Sequence, residues 1–229
     1  MNPFYRWPKW KQHLWTTVTS IAGFGLYILW ILMMTNTYGL WAIFMVFFIV
    51  PLVQFLTTPM NRKTGVFKYY SPMLLVYNAN EKTYDLHNGT SFDYLFVMKW
   101  SDRGIKAKRK LLAYYMEGFL KIIEEIESGE IPDSVKIIGT SYFFSESTAK
   151  RLGFELAKPT AFYIFNIYLN YLDLLWMYSF SNGKLTFPSV KNIKKVEISV
   201  ADFVKNKAYY QKLYNRLSKE YELLQMHVV

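Results

Sequence analysis

The chain has 229 residues, with 27 Lys and Arg against 17 Asp and Glu for a net charge of +10, and it is 52% hydrophobic and 19% aromatic. A disordered chain escapes collapse by being poor in apolar surface, so this composition excludes disorder and requires a folded or membrane-embedded protein. With no Cys there is no disulfide, thiolate metal site or catalytic thiol, and with only three His no metal site is expected.

No Asp, Glu, Lys or Arg occurs between Lys11 and Arg62. At about 1.5 Å per helical residue, that stretch of roughly fifty residues is long enough to cross a ~30 Å hydrocarbon core twice. Residues 14–34 (LWTTVTSIAGFGLYILWILMM) and 38–56 (YGLWAIFMVFFIVPLVQFL) each have the length of one span, with Thr35, Asn36 and Thr37 as a turn between them. The pattern predicts a transmembrane hairpin over residues 14–58, preceded by a basic and aromatic segment, residues 1–13. Trp7, Trp10 and Trp15 before the first span, and Tyr38 and Trp41 at the second, suit the headgroup region, because each ring has an apolar body and a polar tip. Arg6, Lys9 and Lys11 precede the hairpin and Arg62, Lys63 and Lys68 follow it, so both termini are expected in the cytoplasm. A cleaved signal peptide fits less well, because the apolar run is long, lacks a small-x-small cleavage pattern and leads into a second one. Gly23 and Gly25, beside Ser20 and Ala22, form a small-residue patch where another helix can come close. That patch serves either packing within the hairpin or self-association. In the second case, the polar Gln54 and a kink at Pro51 would line a shared path.

Charges return near residue 66, and residues 66–229 read as one cytoplasmic α/β domain of the α+β kind. Residues 73–77 (MLLVY) and 92–98 (FDYLFVM) read as strands, with turn chemistry at residues 78–80 and 87–89. Residues 104–126 predict a helix, since Leu111, Leu112, Tyr115, Phe119, Ile122, Ile123 and Ile126 recur at steps of three and four. A strand at 135–138 and a short helix at 145–152, capped by Ser145 and stopped by Gly153, follow. Residues 160–180 (TAFYIFNIYLNYLDLLWMYSF) are long enough for a third span. They also carry Asn166, Asn170 and Asp173, and spanning there would place the Lys-rich remainder outside, so a buried or membrane-surface helix, or paired strands, is preferred. A turn at 181–184, short strands at 185–187 and 196–200, and an amphipathic helix over 202–224 capped by Ser199 or Asp202 complete the chain.

The densest polar cluster, residues 85–93 (DLHNGTSFD), brings together an imidazole, carboxylates and hydroxyls. His87, Ser91 and Asp93 are the candidate set if the protein is an enzyme, although the same residue types build ordinary tight turns. Hydrolase, zincin and nucleotide-binding motifs are absent from the sequence, and no catalytic residue, metal or cofactor is assigned from it. Lys106, Lys108, Arg109 and Lys110 crowd about one and a half helical turns at the wrong end of a helix dipole, which favours an anionic contact. Anionic lipid, solvent alone, or a nucleic acid or ribonucleoprotein partner each accounts for such a cluster.

Two resemblances bear on function. Thr148 to Phe154, after the strand at 135–138, resembles the late helix of GNAT acetyltransferases, which commonly ends in Leu-Gly-Phe, and Arg103 to Ala107 resembles that family's pyrophosphate-binding turn. It implies a membrane-anchored acyltransferase as one alternative. In layout, with the hairpin, a short external turn and one cytoplasmic domain without catalytic motifs, the chain resembles the two-transmembrane effectors of bacterial anti-phage systems, including those paired with retrons. That likeness implies a multi-pass inner-membrane toxin: an inhibitory protein or ribonucleoprotein partner restrains it, and it self-associates and disrupts the lipid bilayer once released. A structural subunit of a membrane complex is the remaining alternative.

Overall fold

The computed structural model describes residues 2–36, 40–140, 146–190 and 194–226. Thr37, Tyr38, Ser145 and the side chain of Trp41 lie outside what is described. A 3-10 turn at Pro3–Arg6 leads into two long helices, α1 (Lys9–Thr35) and α2 (Leu40–Lys63), which pack along each other. Stretches of 26 and 20 residues, Lys9–Met34 and Phe44–Lys63, are apolar and long enough to cross a membrane, and little of either is buried inside the protein. α2 runs on through Pro51 and Pro59, so the expected bend at Pro51 does not end the helix.

The rest is an α+β domain on a mixed six-stranded sheet of order β1-β2-β3-β4-β6-β5. β1 (Phe67–Ser71), β2 (Leu74–Tyr77) and β3 (Thr83–Asn88) form an antiparallel meander. A crossover through α3 (Ser91–Val97) and α4 (Ile105–Glu127) then places β4 (Lys136–Thr140) parallel to β3. α5 (Glu146–Arg151), β5 (Glu155–Ala157), α6 (Ala161–Leu169) and α7 (Tyr171–Asn182) follow, and β6 (Lys195–Ser199) pairs antiparallel with both β4 and β5. α8 (Val200–Lys205) and α9 (Lys207–Met226) close the described chain.

The core forms where the apolar stripe of α4 meets the sheet. Met116, Phe119, Ile122 and Ile123 bury themselves against Leu74, Val76, Ile137 and Ile198 on one side and Phe203 and Tyr210 on the other. Gly118 makes this approach close, since a Cβ there would run into the Leu74 side chain. A second apolar cluster joins α3, the start of α4 and α7 through Tyr94, Val97, Leu111, Met177 and Phe180.

Five expectations change, one of them at the end of the chain, where the single helix expected over 202–224 is divided at Asn206 into α8 and α9. Residues 92–98 form a helix instead of a strand, because Thr90 and Asp93 make a capping box: the Thr90 N–H donates to Asp93 Oδ2 at 2.9 Å. That reciprocal pair fixes the first turn and overrides the β-preference of Phe92, Tyr94 and Val97. His87 and Asn88 belong to the end of β3, and the turn begins at Gly89. Residues 185–187 make no strand and lie irregularly on the surface. The 160–180 run is helical as one preferred reading had it, but divided in two at Asn170, whose side chain turns back to the Asn166 carbonyl at 2.9 Å. Two strands went unforeseen in the polar, alternating segments 67–71 and 83–88, as did the three-residue β5.

Candidate membrane interface

The two apolar helices meet through small and polar contacts. A Cβ on Gly23 would come within 3.3 Å of Thr57 Cγ2, so this glycine serves packing between α1 and α2. A Cβ on Gly25 would meet nothing within 4 Å, which places that glycine on the outside. Thr16 and Thr19 on α1 and Thr57 and Thr58 on α2 donate to carbonyls one turn back, which satisfies their hydroxyls within their own helices. Gln54 is half-buried and Pro51 buried. Large side chains such as Ile21, Phe24, Ile28 and Leu32 of α1 and Phe44, Phe48 and Leu52 of α2 stand exposed.

The polar end of the hairpin is locked to the domain. The Arg62 guanidinium lies 3.6 Å over the Tyr5 ring and 5.1 Å from that of Tyr69. Phe4 is buried against Phe92 and Phe96 of α3, with Trp7 and Trp15 beside it. The Asn2 side chain donates to Asp93 Oδ1 at 2.8 Å, and Asp93 Oδ2 accepts from Tyr69 Oη at 2.7 Å and from Thr90. Burial pushes the Asp93 carboxyl above its usual range, and these donors oppose that rise. Trp7 and Trp15, expected at the headgroups, are therefore partly engaged with the domain.

α7 lies along the middle of α2. Between them and α3 opens an apolar cleft of about 390 Å³, walled by Phe47, Phe48, Pro51, Leu52 and Phe55 of α2, Leu95, and Leu172. Its polar end is Ser91, Asp173 and Trp176. Ser91 Oγ donates to Asp173 Oδ1 and accepts from Trp176 Nε1 at 2.7 Å, and burial raises the Asp173 carboxyl above its ordinary value. α6 beside it carries Phe162, Phe165 and Tyr168 in the open, Phe162 at 78% exposure, a face with no soluble partner among the described residues.

The residues singled out from sequence are dispersed by the fold. His87 Nε2 sits 3.1 Å from Asp85 Oδ2 at the edge of β3, Ser91 turns to Asp173, and Asp93 is consumed by the capping box and the N-terminal turn. The three share no hydrogen bond, so they form no nucleophile–base pair. Of the basic cluster, Lys106 and Arg109 are half-buried and Lys108 is exposed, donating to Asn182 Oδ1 at 2.6 Å. Lys110, expected on the same surface, is instead buried, 2.7 Å from Asp102 Oδ2 and 2.9 Å from the Val97 carbonyl, so it belongs to the interior. Asp173 and Trp176 were not foreseen as a unit. Their three-residue spacing on a helix, next to aliphatic neighbours, was the available signal. Among the described residues no group of three or more His, Asp or Glu converges in a metal-binding arrangement. In comparison with known proteins, the chain matches no protein-family model, no curated protein and no solved structure.

Proposed function

We propose that the protein is an inner-membrane effector whose α1–α2 hairpin spans and disrupts the bilayer unless a partner restrains it through the α+β domain on the cytoplasmic side. The observation that carries the membrane part is the pairing of two long apolar helices whose large side chains face outward. A core helix of a soluble protein would be mostly buried, and these are not. A signal sequence is disfavoured too, since Asn2 and Phe4, ahead of the first apolar helix, are built into the interior of the domain. The effector part rests on the layout and on Gly25, a small residue on the outer face that leaves room for a second hairpin. Expression of the full chain, with growth and membrane potential followed, tests this. Gly25→Leu is expected to abolish toxicity with membrane insertion intact, whereas Gly23→Leu breaks the hairpin itself. A full chain that inserts and leaves growth and potential unchanged overturns the effector reading.

A further inference from the structure

Two turns far apart in sequence are held together on the surface of the domain. The Gly104 N–H donates to the Phe180 carbonyl at 2.8 Å, and Gly104 and Gly183, both at positive φ, approach so closely that a Cβ on Gly183 would come within 3.2 Å of Gly104 Cα. Lys108 spans the same joint to Asn182. The joint presents four large apolar side chains to the outside: Trp100 and Ile105 from one turn, Leu185 and Phe187 from the other, with Trp100 74% and Phe187 66% exposed. Arg103, Lys106, Lys108 and Lys184 stand among them, and the acidic Asp102 is turned inward onto Lys110. Bulky apolar groups interleaved with cations that have no acidic partner among the described residues make a poor surface for water and a good one for the boundary between headgroups and acyl chains.

The contacts of α4 say which way this surface faces. Its C-terminal part is tied by Glu125 to Lys68 at 2.6 Å, on the strand that follows the charged end of α2. Its N-terminal half packs through Ala107 and Leu111 on Met177 and Phe180 of α7, and the first turns of α7 lie against residues 47–55 of α2. Passing back along α4 toward Ile105 thus follows α2 from its charged end into its apolar part.

We infer that the paired turns at residues 99–108 and 182–187 form a second membrane contact, which binds the headgroups of anionic phospholipids and seats Trp100 and Phe187 below them. This rests on the hairpin being inserted, and the test separates the two. The absence of Cys from the chain allows a single label. The full chain carrying Phe187→Cys, labelled with an environment-sensitive fluorophore, is reconstituted into phosphatidylcholine vesicles with and without phosphatidylglycerol, using lipids brominated on the acyl chain as quenchers. Phe24→Cys on the exposed side of α1 is the control for insertion. The expected result is quenching of the Phe187 label only when phosphatidylglycerol is present, weakened by salt. Neutralising Lys106 or Lys184 to Gln is expected to weaken that docking roughly fivefold per cation removed. A silent Phe187 label with a quenched Phe24 label overturns the second contact and leaves the hairpin standing. A silent Phe24 label overturns both. Equal quenching in the two lipid mixtures removes the anionic headgroup from the proposal, and a Phe187 signal that responds to added RNA and ignores lipid replaces it with a nucleic-acid surface.

Discussion

Lys106 and Lys110 are one helical turn apart and chemically identical, yet one lies at the surface of α4 and the other inside, paired with Asp102. Spacing along a helix gives the shared face but says nothing of which neighbour folds over it, and here the turn carrying Asp102 covers the second lysine. The consequences differ. Lys110→Ala strands a buried carboxylate and is expected to cost about 3 kcal/mol in a denaturant titration of the detergent-solubilised protein, whereas Lys106→Ala stays within about 0.5 kcal/mol. The acidic groups at the domain's contact with α2 give a pH signature. Burial raises the carboxyls of Asp93 and Asp173 above the ordinary carboxylate range, so between their unfolded and folded values the native chain holds more protons than the unfolded chain. Their contribution to stability is therefore complete below about pH 4 and is lost as pH rises through the folded values. Asp173→Asn keeps an acceptor for Ser91 and Trp176 while removing the titration. Its stability relative to the parent chain should climb as pH rises from about 4 through the folded value, and a flat difference would mean that Asp173 is an ordinary carboxylate.

Elements were legible where period and capping agreed. α4 announced itself by apolar residues at three- and four-residue steps, β4 and β6 by short β-branched runs, and both long apolar helices by their lack of charge. α3 is not legible in the sequence, because its composition is that of a strand and its deciding feature is a capping box, a contact between two side chains and two backbone groups. β1 and β3 were missed because tyrosines, lysine and aspartate alternate there without a continuous apolar face. The candidate site was legible only as far as the hairpin, since the cleft joins Phe47 to Trp176 across more than half of the chain. The N-terminal 3-10 turn has the sequence of a basic, aromatic lead-in, and its role in the core depends on partners in α3 that local sequence does not reveal. Phe4 is enclosed by Phe92, Phe96, Trp7 and Trp15, so Phe4→Ala is expected to cost about 3 kcal/mol by loss of burial and the cavity left behind. The effect should appear as a lower unfolding midpoint together with faster proteolysis of residues before α1. An unchanged midpoint would mean that the turn is not anchored.

On the scale of the whole molecule, hairpin and domain overlap along α2, and that overlap constrains the depth at which the proposed hairpin can sit in a bilayer. α2 is 24 residues, or about 36 Å at 1.5 Å per residue, and a bilayer core is about 30 Å thick. The domain reaches as far up α2 as Phe47, where α7 and the cleft lie, which leaves only seven residues of that helix beyond it, 40–46. A hairpin that crosses the whole core therefore has to carry α6 and the first turns of α7 into the leaflet next to the domain, and the exposed rings of Phe162 and Phe165 are chemically suited to it. Asp173 does not forbid this, since it faces Ser91 and Trp176 and its raised carboxyl favours the neutral form. Reactivity of single cysteines in intact membranes reads the depth directly. Asp133→Cys, in an exposed loop, should react readily with a charged maleimide added on the domain's side of the membrane, and Phe162→Cys should react only after the membrane is dissolved. With reporter fusions after Asn36 and after Val229 on opposite sides, a protected Phe162→Cys means that the hairpin spans and α6 is embedded in one leaflet. If Phe162→Cys reacts as fast as Asp133→Cys, α6 stands clear of lipid, and the membrane then covers too little of α2 for the hairpin to cross it.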